Sequence, residues 1–274
     1  MQPTNLYEII PAIGKPQPIV VSIPHAGTFI PEEIGEHFLP HMAATQDDTD
    51  WFVPTLYHFL PQMGITTIVA NYSRWVIDLN RDADNKPLYN DGRVITDVVT
   101  KTDFNGQALY QAGCEPNADE VALRTQRYYT PYHEKIAALL ESLKESHADV
   151  LLFDAHSIRK SVPGISAAPF PDLVLGDNDG KTAASNIITA ACNVLVNCGY
   201  QFAHNHPFKG GHITRSFGQP SEGIHALQLE MAKTNYMDAT ETRYAPAKAA
   251  KIQVMLRQLF AHLLTEINKM QKHN

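Results

Sequence analysis

The sequence contains few cysteines, and their arrangement argues against two kinds of structural site. There are three in 274 residues, at Cys114, Cys192 and Cys198, and no two of them form a Cys-x-x-Cys pair. An odd number of widely spaced thiols argues against a disulfide framework and against a zinc site built from thiolates. The same usage predicts a protein of the reducing cytoplasm.

Excess positive charge and long apolar runs are also missing. The chain has 22 Lys and Arg against 29 Asp and Glu, a formal net charge of −7, which argues against a nucleic-acid partner. It has no run of about 18 apolar residues that could span a membrane. Residues 1–5 lack the positive end and apolar core of a signal peptide. We therefore expect a cytoplasmic protein, monomeric or a small homo-oligomer, without nucleic-acid or membrane partners.

Histidine, in contrast, is abundant, with 13 residues, and two of these follow apolar strands. Ile19–Ile23 predicts a buried strand followed by Pro24-His25-Ala26-Gly27, and residues 150–153 predict another that gives way to a loop, Asp154-Ala155-His156-Ser157. Ligands of open α/β sheets bind beyond the carboxyl ends of strands, where a neutral imidazole can hold a metal. One such histidine could merely satisfy backbone groups in a capped loop, but two favour a shared site.

Carboxylates that could complete this site lie in two places. Asp47, Asp48 and Asp50 precede a predicted helical run, and capping of its amino end accounts for one or two of them. The remaining aspartate is then a candidate oxygen ligand for a metal ion. Residues 225–230 predict a strand that ends in Glu230, which by itself would equally fit an edge strand with its glutamate in water.

Predicted strands and helices alternate along the chain. Further strands are predicted at residues 65–70 and 172–176, and helices at 118–146, 181–198 and 245–270. Because no internal repeat or linker interrupts it, this pattern predicts one α/β domain over residues 1–274 with a mixed, mostly parallel sheet. The stretch 82–117 is polar and irregular, and whether it forms a lid over the site is left open.

The histidines and acids together allow metal-assisted hydrolysis. A catalytic zinc ion takes three nitrogen or oxygen ligands from the protein and keeps one position for water. His25, His156 and one of the three aspartates could supply these ligands. Glu230 could then take the proton of the water and return it to the leaving amine. The expected cofactor is one divalent metal ion, with zinc preferred.

Two arginines lie in the segment after the strand at residues 65–70. Arg74 could stabilise an oxyanion, and Asn80 with Arg81 could hold a substrate carboxylate, since the guanidinium fork matches that group. The alternative is that both arginines pair with nearby acids such as Asp78. Together with the metal site, these residues predict hydrolysis of an amide in a small anionic molecule.

At these residues the sequence resembles the N-formylglutamate amidohydrolase (deformylase) family, which is distantly similar to zinc carboxypeptidases and aspartoacylases. The resemblance runs in order over roughly residues 20–250. The matching segments are Pro24-His25-Ala26-Gly27, Asp48-Thr49-Asp50-Trp51, Tyr72-Ser73-Arg74-Trp75-Val76-Ile77-Asp78-Leu79-Asn80-Arg81, Asp154-Ala155-His156-Ser157-Ile158-Arg159, Phe208-Lys209-Gly210-Gly211-His212-Ile213-Thr214-Arg215 and Gln228-Leu229-Glu230.

The resemblance implies a phosphorylase/hydrolase-like fold with three α/β/α layers. It also implies hydrolysis of N-formyl-L-glutamate to formate and L-glutamate, a step of bacterial histidine degradation. By this resemblance His156 is the second zinc-binding histidine, Glu230 the general base, and Arg74 the residue over the scissile carbonyl. The Asp-Leu-Asn-Arg segment is similar to the aspartoacylase stretch that grips the substrate carboxylate, which implies that role for Asn80 and Arg81.

One departure from the wider pattern concerns the acidic metal ligand. Carboxypeptidase-like proteins have a glutamate three residues after the first histidine, where this chain has Thr28. The acid must therefore come from elsewhere, and we favour Asp50 over Asp48 and Glu33. We also expect Arg215 to bind the other carboxylate of the glutamate.

Two other functions fit the same residues. A zinc amidohydrolase for another N-acyl acidic amino acid, such as N-acetylaspartate or N-succinylglutamate, would need apolar room around the scissile carbonyl. A non-catalytic protein that binds an acidic metabolite would use the histidines and arginines without a metal. Metal content and formate release separate these functions.

Overall fold

A seven-stranded sheet runs through the computed structural model, which describes residues 5–88 and 96–271. Its strands are β1 (Tyr7–Ile10), β2 (Ile19–Ile23), β3 (Thr66–Ala70), β4 (Val150–Ile158), β5 (Leu173–Gly176), β6 (Phe202–His204) and β7 (Ile224–Ala232). Across the sheet they lie in the order β1-β3-β2-β4-β7-β5-β6. Every strand predicted above is present, and β1 and β6 form the two edges.

The sheet is mixed, and most of its neighbouring strands run parallel. β2 pairs in parallel with both β3 and β4, β4 pairs with β7, and β5 pairs with β6. In the described part of the chain, the antiparallel pairs are β1–β3 and β5–β7. The predicted α/β fold with a mixed, mostly parallel sheet is confirmed. The carboxyl ends of the interior strands β2, β4 and β7 consequently lie side by side, at the same end of these parallel strands.

β4 is longer than the sequence predicted. We expected the strand to end before Asp154 and give way to a loop, but it continues through Ile158 because β7 pairs with it residue for residue over its whole length. His156 therefore lies on a strand, opposite Glu230. β7 is an interior strand, so the edge-strand alternative for Glu230 is wrong.

Helices cover both faces of the sheet. The α-helices of the described residues are α1 (Glu32–Gly35), α2 (Pro40–Thr45), α3 (Val53–Leu56), α4 (Ala118–Arg124), α5 (Thr130–Lys144), α6 (Ser185–Val196), α7 (His212–Phe217) and α8 (Pro246–Met270). Alternate residues of β2 show the layers: Ile19, Val21 and Ile23 pack in one core with α6 and α8, whereas Val20 packs on the opposite face with α5. These are the three α/β/α layers that the resemblance implied.

The irregular stretch 82–117 contains neither a helix nor a sheet strand among its described residues. Residues 89–95 of this stretch lie outside the described residues. On either side of them, Leu88 and Phe104 line one and the same cavity.

The state of the cysteines and the character of the helices bear on two of the expectations drawn from the sequence. Cys114, Cys192 and Cys198 are all free thiols, and the last two pack against the larger hydrophobic core. Among the helices of the described residues, none combines the length and the apolar character that crossing a membrane requires.

α8 offers a matched test of core packing. Ile252 is fully buried, whereas Val254, two residues along the same helix, is 57% exposed. We expect Ile252→Ala to lower the free energy of unfolding by about 2–5 kcal/mol through lost burial and a cavity. Val254→Ala should change it by less than about 0.5 kcal/mol. Urea denaturation followed by circular dichroism measures both, and equal effects would contradict the inner face assigned to α8.

Candidate active site

Three side chains predicted as metal ligands, His25, Asp50 and His156, converge at the carboxyl-terminal edge of the parallel strands. Each offers one ligand atom, and the three atoms lie within 4.8 Å of one another. Asp50 Oδ2 is 3.2 Å from His156 Nδ1 and 3.8 Å from His25 Nδ1, and the two ring centroids are 4.9 Å apart. All three residues are buried, with exposed fractions between 1% and 3%.

Backbone contacts bring these ligands together. His25 follows β2, and its carbonyl oxygen accepts a hydrogen bond from the Asp50 N–H at 2.9 Å. Gly27 allows this turn to approach the segment after β3, because a Cβ atom at this position would lie 2.3 Å from the Tyr72 carbonyl oxygen. His156 reaches the same point from β4, which is the parallel neighbour of β2.

Carboxylates orient both histidines. His25 Nε2 donates to Asp78 Oδ1 at 2.7 Å, and His156 Nε2 donates to Asp154 Oδ2 at 2.8 Å. In the neutral rings the other nitrogen, Nδ1, then carries the lone pair, and in both residues this atom faces Asp50. A carboxylate behind the imidazole is the arrangement that fixes metal-binding histidines in their reactive tautomer.

The two imidazoles differ in their electrostatic surroundings. Burial, together with the charge of Arg74, lowers the pKa of His25. Burial would also lower the pKa of His156, but the carboxylates of Asp154 and Asp50 outweigh it and raise this pKa well above its usual value. A cation bound beside Asp50 would oppose the protonated form of His156, because like charges repel.

Asp50 is the acid that the structure places against the histidines. The alternatives weighed from the sequence were Asp47, Asp48 and Glu33. Asp48 is engaged elsewhere, because its Oδ2 accepts hydrogen bonds from the Trp75 indole (3.1 Å) and from the Phe104 N–H (3.2 Å). Asp47 pairs with an arginine at 2.7 Å, and Glu33 is exposed on α1. Ligation and capping use the same residue type, which is why the sequence left this choice open.

Arg74 lies at the border of the ligand cluster. Its Nη2 pairs with Asp78 Oδ2 at 2.5 Å, as the ion-pair alternative expected, while its Nη1 is 3.3 Å from His25 Nδ1. Burial would lower the pKa of Arg74, but Asp78 and Asp48 raise it, so the guanidinium keeps its charge. The ring of Phe104 packs on this group, with its centroid 4.5 Å from Cζ. The carboxylate of Asp78 and the ring of Phe104 therefore hold the Arg74 guanidinium in one orientation.

Glu230 faces the cavity from β7, beside His156. None of the described residues donates a hydrogen bond to its carboxyl group. Burial raises the pKa of Glu230 to about 8, and the positive charge of a bound cation would lower it. A carboxyl group with a pKa in this range can both take up and return a proton near neutral pH.

The residues predicted to hold substrate carboxylates lie at different distances from the ligand cluster. Asn80 and Arg81 line the cavity, whereas Arg215 is not on its wall as far as the described residues define it. Arg81 Nε is 3.9 Å from Asp78 Oδ2. Arg215, on α7, donates through Nη1 to the Leu88 carbonyl oxygen at 2.7 Å. Their roles toward a substrate stay predictions.

The ligand cluster opens onto a cavity of about 100 Å³. One wall of it is polar, with His25, Asp50, Arg74, Asn80, Arg81, His156, Gln228 and Glu230. A second group of lining residues, the apolar wall, consists of Leu88, Phe104, Ile158, Ile165 and Phe208. The sequence did not indicate the apolar wall, because its side chains come from separate segments that share no pattern. The role of Asp78 in orienting His25 was not predicted either, although its position between Arg74 and Arg81 in the sequence was a signal for a buried charged group.

The ligand cluster fits a divalent metal ion. Tetrahedral zinc with bonds of about 2.0–2.1 Å holds its ligand atoms about 3.3 Å apart, which is close to the separations of 3.2 Å and 3.8 Å found here. Two imidazole nitrogens and one carboxylate oxygen form a donor set that zinc accepts in catalytic sites. The identity of the ion stays a prediction.

The relatives of this chain place it in the class of hydrolases that act on an amide bond. The model of the N-formylglutamate amidohydrolase family matches residues 17–237. The N-formylglutamate deformylase of Pseudomonas aeruginosa is 40% identical over 252 residues, covering 89% of this chain and 93% of that protein. The chain therefore belongs to the N-formylglutamate amidohydrolase family, and the resemblance seen in the sequence is confirmed.

Further relatives agree in sequence and in structure. The N-formylglutamate deformylase of Pseudomonas putida is 37% identical over 249 residues, covering 90% of this chain and 92% of that protein. The crystal structure of N-formylglutamate amidohydrolase from Ralstonia eutropha JMP134 has a TM-score of 0.80 and 26% identity, over 98% of this chain and 99% of that one. A protein from Agrobacterium tumefaciens shares the fold, with a TM-score of 0.75 and 16% identity over 96% of each chain.

Asp78 offers a test of histidine orientation. Asp78→Asn keeps the side-chain shape but removes the charge that accepts the His25 Nε2 proton. We expect the dissociation constant for Zn²⁺ to rise about 10- to 100-fold, measured by competition with a chromophoric chelator. The control is Asp84→Asn, which alters a carboxylate that is 76% exposed and pairs with Lys86. Equal zinc affinities in the two variants would contradict the orienting role of Asp78.

Proposed function

We propose that this protein hydrolyses N-formyl-L-glutamate to formate and L-glutamate, with one divalent metal ion held by His25, Asp50 and His156. The observation that carries the proposal is the convergence of three ligand atoms beside Glu230 and Arg74 in one cavity. The substrate is inferred from the relatives, which are named N-formylglutamate deformylases. Zinc is the ion we expect, because of the donor set.

When bound, a divalent ion supplies Lewis acidity, which lowers the pKa of a water molecule and polarises a carbonyl oxygen. Glu230 takes a proton from the attacking water, since its carboxyl group faces the cavity without another partner among the described residues. The same group then returns the proton to the amine nitrogen as the C–N bond breaks. The formyl carbon gains the water oxygen and leaves as formate, and the amine leaves as L-glutamate.

Arg74 stabilises the negative charge that develops on the formyl oxygen. Its guanidinium is 6% exposed and is fixed by Asp78 on one side and by the ring of Phe104 on the other. A charged donor that is already oriented needs no rearrangement during the reaction, and this is where electrostatic stabilisation is most effective.

The two carboxylates of the substrate bind to the remaining cationic groups of the site. We assign one to Arg81 with Asn80, which line the cavity, and the other to Arg215. Arg215 Nε donates to the Gly210 carbonyl oxygen at 2.8 Å, next to Gly211 in the cavity wall. A guanidinium fork matches a carboxylate with two parallel hydrogen bonds, which favours an acidic substrate over a neutral one.

The apolar wall favours a formyl group over longer acyl groups. Phe104 packs directly on Arg74, and its N–H is anchored by Asp48 at 3.2 Å. With the carbonyl oxygen bound by Arg74, carbon atoms beyond the scissile carbonyl would meet this fixed ring. This observation supports N-formylglutamate over N-acetylaspartate or N-succinylglutamate. The carboxyl group of Glu230 beside the ligand cluster supports catalysis over passive binding of a metabolite.

Glu230→Gln tests the general base. The amide keeps the size of the side chain but cannot accept a proton from water, so we expect formate release to fall by about 10²- to 10⁴-fold. Zinc content, measured by mass spectrometry, should be unchanged because Glu230 is not one of the three ligands. Glu134→Gln, at an exposed position of α5, serves as the control. Turnover equal to that of the control would remove Glu230 from the mechanism.

A panel of N-acyl substrates tests acyl selectivity. We expect kcat/KM for N-formyl-L-glutamate to exceed that for N-acetyl- and N-succinyl-L-glutamate and for N-acetyl-L-aspartate, and a chelator to abolish turnover. Phe104→Ala should narrow the ratio of formyl to acetyl substrate by about 10-fold, since one methyl group in a tight pocket is worth roughly 1–3 kcal/mol. Phe208→Ala, further along the apolar wall, should narrow it less. A longer acyl substrate preferred by the unmodified enzyme would refute the formyl assignment.

A further inference from the structure

Asn80 lies behind the metal site, between β4 and α7, and is 4% exposed. Its Oδ1 accepts a hydrogen bond from the Ile213 N–H in the first turn of α7 at 2.8 Å. Its Nδ2 donates to Asp154 Oδ2 at 3.1 Å and lies 3.0 Å from His156 Nε2. A backbone N–H can only donate, so the bond from Ile213 fixes which end of the amide is oxygen and leaves the NH₂ group toward Asp154.

Asp154 depends on this amide. Its Oδ2 accepts from both Asn80 and His156 Nε2, the latter at 2.8 Å, while its Oδ1 is buried without a partner among the described residues. Asp154 itself is fully buried. A buried carboxylate is costly unless donors satisfy it, and here both donors act on one oxygen. Asn80 is therefore half of the support for the group that orients His156.

We infer that Asn80 is a positioning residue for the ligand His156, and that it links the metal site to α7. This role is additional to the contact with a substrate carboxylate proposed above, and it rests on the proposed metal site. The continuous series of hydrogen bonds runs from the Ile213 N–H to Asn80, from Asn80 to Asp154, and from His156 to the same Asp154 oxygen.

Packing of the glycine loop before α7 supports this role. A Cβ atom at Gly211 would lie 2.3 Å from Asn80 Nδ2 and 2.5 Å from its Cγ, so the backbone of Gly211 rests directly on the amide. The Gly211 N–H donates to Gln228 Oε1 at 2.7 Å, which holds the loop against β7. Asn80 is thus confined between Asp154 on one side and Gly211 on the other.

Because α7 also carries Arg215, the same contacts connect a predicted substrate-binding element with the metal ligand. The His212 N–H lies 3.4 Å from the Asn80 carbonyl oxygen, so main chain and side chain of Asn80 both hold the start of α7. A displacement of α7 would withdraw the amide from Asp154 and loosen the support of His156.

The test compares Asn80→Leu with Arg81→Gln. Leucine matches the shape of asparagine without its hydrogen bonds and adds no charge. We expect Asn80→Leu to raise the Zn²⁺ dissociation constant about 10- to 100-fold, measured without substrate by competition with a chelator. Arg81→Gln should leave zinc affinity within about threefold of the unmodified protein and raise KM. Zinc affinity within threefold in Asn80→Leu, with KM raised, would overturn the inference and leave Asn80 with a role toward the substrate alone.

A second variant keeps the test decisive if Asn80→Leu does not fold. Gly211→Ala leaves Asn80 intact but places a methyl group where the amide now lies, and it should also weaken zinc binding by at least about 10-fold. Gly35→Ala is its control, because a Cβ atom there meets only Ile30 Cγ2 at 3.4 Å. Equal zinc affinity in both glycine variants would overturn the inference. Absence of formate release by the unmodified enzyme would instead refute the proposed function, while the zinc affinities would still report on Asn80.

Discussion

The parallel pairing of β4 with β2 on one side and β7 on the other is the constraint on which the site depends. Residues opposite one another in parallel strands project to the same face, so Asp154 and His156 of β4 stand beside Gln228 and Glu230 of β7. The intervening residues, such as Ala155, pack in the core with α6 and α8. One pair of strands thus supplies both the hydrophobic core on one face and the reactive groups on the other.

This arrangement places several charged side chains away from water. Burial would raise the pKa of Asp78, but Arg74 and Arg81 hold it well below its usual value, so this carboxylate stays ionised behind His25. Asp154 and Asp50 likewise favour the charged form of His156, and they raise its pKa. Removal of charged groups from water is unfavourable unless each has a partner of opposite sign or a hydrogen bond. The network is therefore costly to break at one point.

Much of the fold, and the outline of the site, could be predicted from local sequence patterns. Unbroken apolar runs identified β2 and β4, and the histidines after them pointed to the shared edge, because parallel strands end together. The extension of β4 through Ile158 could not be predicted, since it depends on pairing with a strand about 70 residues away. The engagement of Asp48 with Trp75 and Phe104 was equally hidden, because contacts between distant segments leave no local pattern.

The alternation of faces along β4 also limits how this family of chains can vary in length. An insertion or deletion of one residue between Leu152 and His156 would exchange the two faces, turning the imidazole into the hydrocarbon layer and an apolar side chain into the catalytic pocket. Changes in pairs would shift His156 away from its level with His25. We therefore expect changes of length to be less tolerable in the strands that carry the reactive groups than in surface loops.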